Sequence, residues 1–170
     1  GRTDFAARLD PDRIAGLRAA LPDVQALLSS PAQRCTATAQ AVFPDHAMTV
    51  DPRLWEQDFG VFDGAVLADL PDLGAMDRVA LAAHRWDGGE SFGDVAARIT
   101  PALHDAARLA DTVGRVAIVA HAGVIRAALG VVLDDVGAAL AFEIAPLSIT
   151  RLGVWQGCPV SVRQVNGGGA

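Results

Sequence analysis

The stretch RVAIVAHAGVIRAALG, residues 115–130, constrains the fold more than any other part of the chain. Val116 to Ala120 is an unbroken apolar run of strand length, and it ends at a histidine. An unbroken run, rather than alternation, marks a strand covered on both faces. Behind His121 the pattern changes to that of a helix, predicted from about Gly123 to Val132. A second junction of the same kind lies upstream. Val24 to Leu28 is a short apolar run, and Ser29-Ser30-Pro31 ends it and opens a helix. Ser30 is expected as the N-cap of that helix, with Pro31 at its first position. Pro44 stops it after Phe43. Strands feeding directly into helices imply an α/β fold with a mostly parallel sheet between two helical layers.

The remaining segments fit that plan. Asp10-Pro11 opens a helix with Ile14, Leu17 and Leu21 on one face. Met48 to Val50 reads as a short strand. Residues 51–73 are rich in Gly, Asp and Pro and read as a long loop with one helical turn. Residues 74–85 are weakly helical, and 86–89 form a turn. Ser91 to Ala110 is predicted as a helix, with Pro101 kinking or dividing it. Asp134 is expected to cap a further helix ending near Phe142. Residues 148–154 and 160–165 read as a final strand pair. The expected organisation is one three-layer α/β/α domain over residues 1–165, followed by a flexible tail at 166–170.

The chain has 170 residues, 51% of them hydrophobic and 20% charged, enough for one domain with a real core. Its formal net charge of −6 argues against a general nucleic-acid or acidic-membrane surface. No apolar run approaches the roughly 18 residues of a membrane span. Cys35 and Cys158 form no metal-ligand spacing and no redox motif. As free thiols they point to a reducing, cytoplasmic setting. Four scattered histidines without paired cysteines make a zinc site unexpected, and no other metal or cofactor is called for.

In sheets of this class the ligand sits beyond the carboxyl ends of the strands. Both junctions deliver helix N-termini there, with free N–H groups and a positive dipole end suited to a phosphate. Arg34 falls in the first turn of the helix after Ser29-Ser30, against the dipole; alone, it reads equally as a solvent-facing arginine. His121 stands at the entrance of the second helix, where Ala122-Gly123 would let a ligand approach the backbone and Arg126 follows one turn on. The plain alternative is a packed histidine. Glu56 is flanked by Leu54, Trp55 and Phe59, surroundings that raise a carboxyl pKa and suit a general acid. A solvated loop acid is the plain alternative. GESFG, residues 89–93, fits the G-x-S-x-G pattern of a serine nucleophile, but no strand precedes it. Ser91 reads instead as a helix N-cap with Asp94 completing a capping box.

Taken in order, SSPAQRCTATAQAV, LWEQDFGVFDG, GGESFGDVAARI and VAIVAHAGVIRAAL resemble the histidine phosphatase superfamily, which includes the phosphoglycerate mutases. The family's segments run S-S-P-x-x-R-x-x-x-T-A, L-x-E-x-x-F-G-x-x-x-G, G-E-S and V-x-H-x-G-x-x-R, and the match spans about residues 29 to 130. GRTD at Gly1 resembles the segment that follows the family's N-terminal strand. Short length and that opening look most like bacterial alpha-ribazole phosphatases of cobalamin assembly. The resemblance implies a phosphoglycerate mutase-like fold and a small phosphorylated metabolite as substrate, hydrolysed through a phosphohistidine. It implies Arg34 as phosphate ligand, Glu56 as proton donor, His121 as a second, cationic phosphate contact, and Gly1 and Ala122 as substrate contacts. Mutase-type phosphoryl transfer and a non-catalytic phosphate binder are the alternatives. The family's nucleophile is a histidine in an N-terminal R-H-G or R-H-A segment, and this chain has none. By this alignment the chain starts some way beyond that segment. The nucleophile then lies outside the chain or has been lost, and the chain as given has no phosphatase turnover.

Overall fold

The computed structural model describes residues 1–168, apart from the side chain of Leu67. The first helix, α1 (Pro11–Ala20), starts as its sequence dictates: the Asp10 carboxylate accepts from the Asp12 and Arg13 backbone N–H groups. Strand β1 (Ala26–Ser29) leads into α2 (Gln33–Val42), and β2 (Met48–Val50) follows. The long segment after β2 holds three 3₁₀ turns, at Pro52–Leu54, Gly60–Phe62 and Leu67–Asp69, rather than one helical turn. Helix α3 (Arg78–Ala83) precedes the long α4 (Phe92–Val113). Strand β3 (Val116–Val119), α5 (Ala122–Leu133) and the short α6 (Val136–Ala139) come next. A hairpin of β4 (Ile149–Trp155) and β5 (Cys158–Gly167) closes the described chain.

Strands β2, β1 and β3 lie side by side in that order, all parallel, with Leu28 opposite both Thr49 and Ile118. Helices α1 and α2 cover one face through Ile14, Leu17, Ala39, Val42 and Phe43. Helices α4 and α5 cover the other through Val95, Ile99, Leu103, Val124 and Leu129. This is the expected three-layer α/β/α arrangement.

Five local expectations are corrected. Ser30 does not cap α2. Its hydroxyl lies 2.8 Å from His121 Nε2, and α2 starts later, with Ala32 in the cap position and no capping side chain of its own. Asp4 supplies the cap from the far N-terminal segment: Gln33 N–H donates to its two carboxylate oxygens at 2.9 and 3.2 Å. Pro101 does not divide α4, which runs unbroken from Phe92 to Val113. Apolar side chains on both sides of the proline, Ile99 and Leu103 among them, are buried in the same core and hold it together. Asp134 ends α5 in the left-handed region at φ 53°, and Asp135 caps α6, which stops at Ala139. The strand pair runs longer than expected, because Gln156 and Gly157, at φ 48° and 72°, form the tight turn that joins long hairpin strands. Strand β5 reaches Gly167, and Asn166, expected in the tail, ties down Ala145 and Glu143 by hydrogen bonds. Residues 169 and 170 of that expected tail lie outside the described residues.

The described strands also do not make one continuous sheet; β4 and β5 pair only with each other. Between β3 and β4 runs a cavity of about 1510 Å³, walled by Val116–Ala120 and Ile149–Val154. Helices α1 and α2 close it on one side with Leu17 and Val42, and α4 and α5 on the other with Leu103 and Val124. The free edge of β3 explains why a strand in the middle of three layers has four residues that are all only half-buried.

The cap donated by Asp4 carries a measurable consequence. Asp4→Ala is expected to lower stability by about 1 kcal/mol, whereas Asp4→Asn, still able to cap, loses only a few tenths. Thermal melts of the three proteins check this. Equal losses would mean that the 3.7 Å pairing of Asp4 with Arg34, not the cap, is what matters.

Candidate active site

His121 occupies the N-cap position of α5, where β3 ends, and it is 8% exposed. Its ring is fixed from three sides. Arg34 Nε donates to Nδ1 at 3.2 Å, so Nδ1 is the acceptor and the ring proton sits on Nε2, which donates to Ser30 Oγ at 2.8 Å. The indole of Trp55 lies parallel to the ring, with centroids 6.2 Å apart. Cys35 Sγ approaches Nε2 to 3.5 Å.

These neighbours set the charge of His121. Burial, then the nearby Arg34 guanidinium, the N-terminal amine of Gly1 and Arg98, push its pKa down to about 3. In this structure it is a neutral imidazole at pH 7. Burial also pushes the Cys35 thiol up to about 11, with the Glu56 and Asp4 charges adding to that and Arg34 and Ser30 opposing it. Cys35 therefore stays a protonated thiol and is not a nucleophile here.

The depressed His121 makes stability depend on pH. Below about pH 6.5 the unfolded chain takes up a proton that the folded site refuses until about pH 3, so stability falls as pH falls across that window. The limiting slope is about 1.4 kcal/mol per pH unit. Carboxylates held low, such as Asp51, Asp63 and Glu90, add most of their acid losses below about pH 5. Denaturant unfolding between pH 6.5 and 5 therefore isolates His121. His121→Gln is expected to flatten the stability profile there, and an unchanged slope would assign it to another group.

Arg34 stands in the first turn of α2. Its Nη1 donates to the Thr3 carbonyl at 3.1 Å and its Nη2 to the Gly1 carbonyl at 2.8 Å. Residues 1–4 are brought there by Asp63, whose carboxylate accepts from Arg2 N–H at 2.8 Å and from the Thr3 hydroxyl at 2.9 Å. Gly1 thus lies in the wall of the pocket, close enough for its amine to act on His121. The sequence reading put Gly1 among the substrate contacts and the family's R-H segment some way upstream of it; Gly1 does line the pocket.

Glu56 follows the 3₁₀ turn at Pro52–Leu54. Its Oε1 accepts from the Gln57 N–H at 3.0 Å and its Oε2 from the Gly123 N–H at 3.2 Å, at the N-terminus of α5. A Cβ on Gly123 would meet Glu56 Oε1 at 2.2 Å. The space that sequence reasoning reserved for a ligand at Gly123 is taken by this carboxylate. Arg34, Glu56, His121, Gly1 and Ala122 all line the same cavity.

Other candidates fall elsewhere. Arg126 donates through Nε to the Phe142 carbonyl at 2.7 Å, a tie between α5 and the chain after α6. His46, His84 and His104 do not line the cavity. Ser91 Oγ donates to Asp94 Oδ2 at 2.7 Å and accepts from the Asp94 N–H at 3.1 Å, a capping box with no preceding strand. Ser30 and Asp63 were missed, because their partners lie 91 and 61 residues away in the chain.

The profile of the histidine phosphatase superfamily (branch 1) matches residues 13–167. The chain belongs to that superfamily. No curated protein matches it by sequence. Among solved structures, a mycobacterial glucosyl-3-phosphoglycerate phosphatase is 25% identical, with TM-score 0.82 over 98% of this chain and 89% of that one. The alpha-ribazole phosphatase of Shigella flexneri, 21% identical, superposes with TM-score 0.73 over 93% of this chain and 82% of its own. A phosphoserine phosphatase mutant of Entamoeba histolytica, in complex with phosphoserine, is 18% identical, with TM-score 0.78 over 99% and 87%. The last two similarities establish the histidine phosphatase fold alone. Membership and the mycobacterial neighbour together support hydrolysis of phosphate esters as the class of activity.

Proposed function

We propose that the complete protein hydrolyses a small phosphorylated metabolite through a phosphohistidine whose nucleophile precedes Gly1. The observation that carries this reading is the convergence of Arg34, His121 and Glu56 on one pocket, with the Gly1 amine at its wall. An imidazole nitrogen joined there attacks phosphorus, and the ester P–O bond breaks. Glu56, protonated, gives its proton to the leaving alkoxide. Water then attacks phosphorus, the P–N bond breaks, and Glu56 takes the proton from the water.

Arg34 offers a planar pair of donors to the equatorial oxygens. A phosphate dianion beside His121 opposes the burial and the arginine that hold it neutral, so substrate and proton enter together. Ala122 opens α5 at the same point and presents its backbone to the anion. The neighbours act on phosphate esters as different as alpha-ribazole phosphate and glucosyl-3-phosphoglycerate, so both belong in a substrate panel. A non-catalytic phosphate binder is the second reading, favoured by one observation: among the described residues, His121 is the one histidine that lines the cavity, and both its ring nitrogens are already engaged.

The test is phosphoester hydrolysis by the protein expressed from its native gene, with its N-terminal sequence determined. The expected result is turnover, an Arg-His pair ahead of Gly1, and an acid-labile phosphoenzyme. Phosphate binding without turnover would establish the second reading. Turnover by the 170-residue chain itself, lost in His121→Ala, would place the nucleophile within it.

A further inference from the structure

We propose that Arg98, held by Glu90, is the positioning residue for the proton donor; this rests on the reading of Glu56 given above. Arg98 lies on α4, two turns from its start, and its side chain is 18% exposed. A guanidinium has five N–H donors in a rigid fork, and here every one has a partner. Nε and Nη2 donate to the two oxygens of Glu90, each at 2.8 Å. Nη1 donates to the carbonyls of Arg53, at 2.5 Å, and Trp55, at 3.0 Å. Nη2 also reaches the Glu56 carbonyl at 3.4 Å. Glu90 closes the grip from the other side, its Oε2 accepting from the Asp58 N–H at 3.1 Å.

The pair therefore holds the backbone on both sides of Glu56, at residues 53, 55, 56 and 58. That hold matters because residues 55–59 belong to no helix or strand. Among the described residues the Glu56 carboxylate has only backbone N–H partners, the one from α5 at 3.2 Å. Left to itself, such a segment would let the carboxyl group wander by more than a productive proton transfer tolerates. The anchor is itself rigid, since Glu90 directly precedes the Ser91–Asp94 capping box that fixes the start of α4. Lysine could not replace the arginine, because a single ammonium cannot serve three carbonyls and a bidentate carboxylate at once. Glu90 stands in the GES segment, where the sequence reading gave a role to Ser91 but none to Glu90, and Arg98 lies in no motif position.

Two readouts test the proposal on Arg98→Lys and Glu90→Gln. The first uses the 170-residue chain and needs no activity. The Gly123 amide donates to Glu56 Oε2, so its NMR shift should follow the ionisation of Glu56 through an acid titration, and Glu56→Gln should abolish that step. Arg98→Lys is expected to reduce the step to less than half. The second uses the active protein from the native gene, comparing an alkyl phosphate, whose leaving group needs a proton, with p-nitrophenyl phosphate, whose leaving group does not. Arg98→Lys is expected to lose about 10- to 100-fold in kcat/KM on the alkyl ester and less than about 3-fold on the aryl ester, a part of the roughly 10²- to 10⁴-fold that general acid catalysis contributes. Should Arg98→Lys fail to fold, Glu90→Gln, which keeps the side-chain volume, is read the same way. Folded variants with the full Gly123 step, or with equal losses on both esters, would overturn the positioning role. If Glu56→Gln itself does not distinguish the esters, the donor assignment fails instead, and the Gly123 titration still decides whether the clamp holds the carboxylate.

Discussion

Five apolar residues followed by Arg-His, joined directly to the amine of Gly1, are expected to raise phosphoester turnover steeply above that of the 170-residue chain. They are expected to fit between β3 and β4. The cavity of about 1510 Å³ is walled by the free edge of β3 and by β4, with apolar side chains from both helical layers facing it. Half of the backbone groups of a strand point to each edge, and buried polar groups without partners are costly. A strand that ends at Gly1 ends at the same edge as His121, so it runs parallel to β3 and supplies those partners. Its last side chain then stands beside Arg34 and His121. Removing the nucleophile from enzymes that work through a covalent intermediate costs about 10⁴- to 10⁶-fold in kcat. Supplying it should raise hydrolysis of p-nitrophenyl phosphate at least about 10³-fold above the 170-residue chain. The matching extension that ends in Arg-Gln separates two contributions. It should raise the thermal midpoint as much as the Arg-His form, because the strand is the same, and give no turnover. Stabilisation by both without turnover by either would leave the slot and remove the nucleophile from it. No stabilisation by either would mean that the cavity is not a strand site.

What could be read from the sequence was what is local to it. Each strand-to-helix junction occupies fewer than twenty residues, and it alone decides that Arg34 and His121 sit at carboxyl strand ends, which is where the structure places them. Glu56 came from its apolar flanks and from the resemblance. Caps with nearby partners, Asp10 and the Ser91–Asp94 box, formed as expected; what failed were inferences at side chains whose partner is distant in sequence. Ser30 could cap its own helix or receive the proton of a histidine 91 residues away, and only the packing of β1 against β3 settles it. The cap it gave up comes from Asp4, 29 residues upstream of Gln33. The charge of His121 depends on distant neighbours for a related reason. A cation suits a phosphate, but burial together with Arg34 outweighs that in the absence of the anion, and burial is a property of the assembled layers. Gly123 was read as an opening for a ligand, whereas the occupant is Glu56 from another loop.

Replacing Arg34 by alanine is expected to weaken inorganic phosphate binding by about 100-fold or more, and replacement by lysine by about 10-fold. Charge-assisted, bidentate contacts with an arginine are roughly twice as strong as neutral hydrogen bonds. Arg34 now spends its terminal nitrogens on two neutral carbonyls, those of Gly1 and Thr3. A phosphate dianion is the better acceptor and should displace them, drawing the guanidinium into the pocket while Nε keeps its hold on His121 Nδ1. Lysine keeps the charge and loses both the fork and that second hold, which is why it should fall between the two. Isothermal titration of the 170-residue chain measures all three. The alanine variant carries an internal check on its cause. Arg34 is one of the charges that depress His121, so removing it should raise the histidine pKa, which an NMR pH titration of the ring protons reads directly. A variant with the raised histidine pKa and parental phosphate affinity would show that Arg34 tunes His121 but does not bind the anion, and the phosphate reading of the pocket would then fall with it.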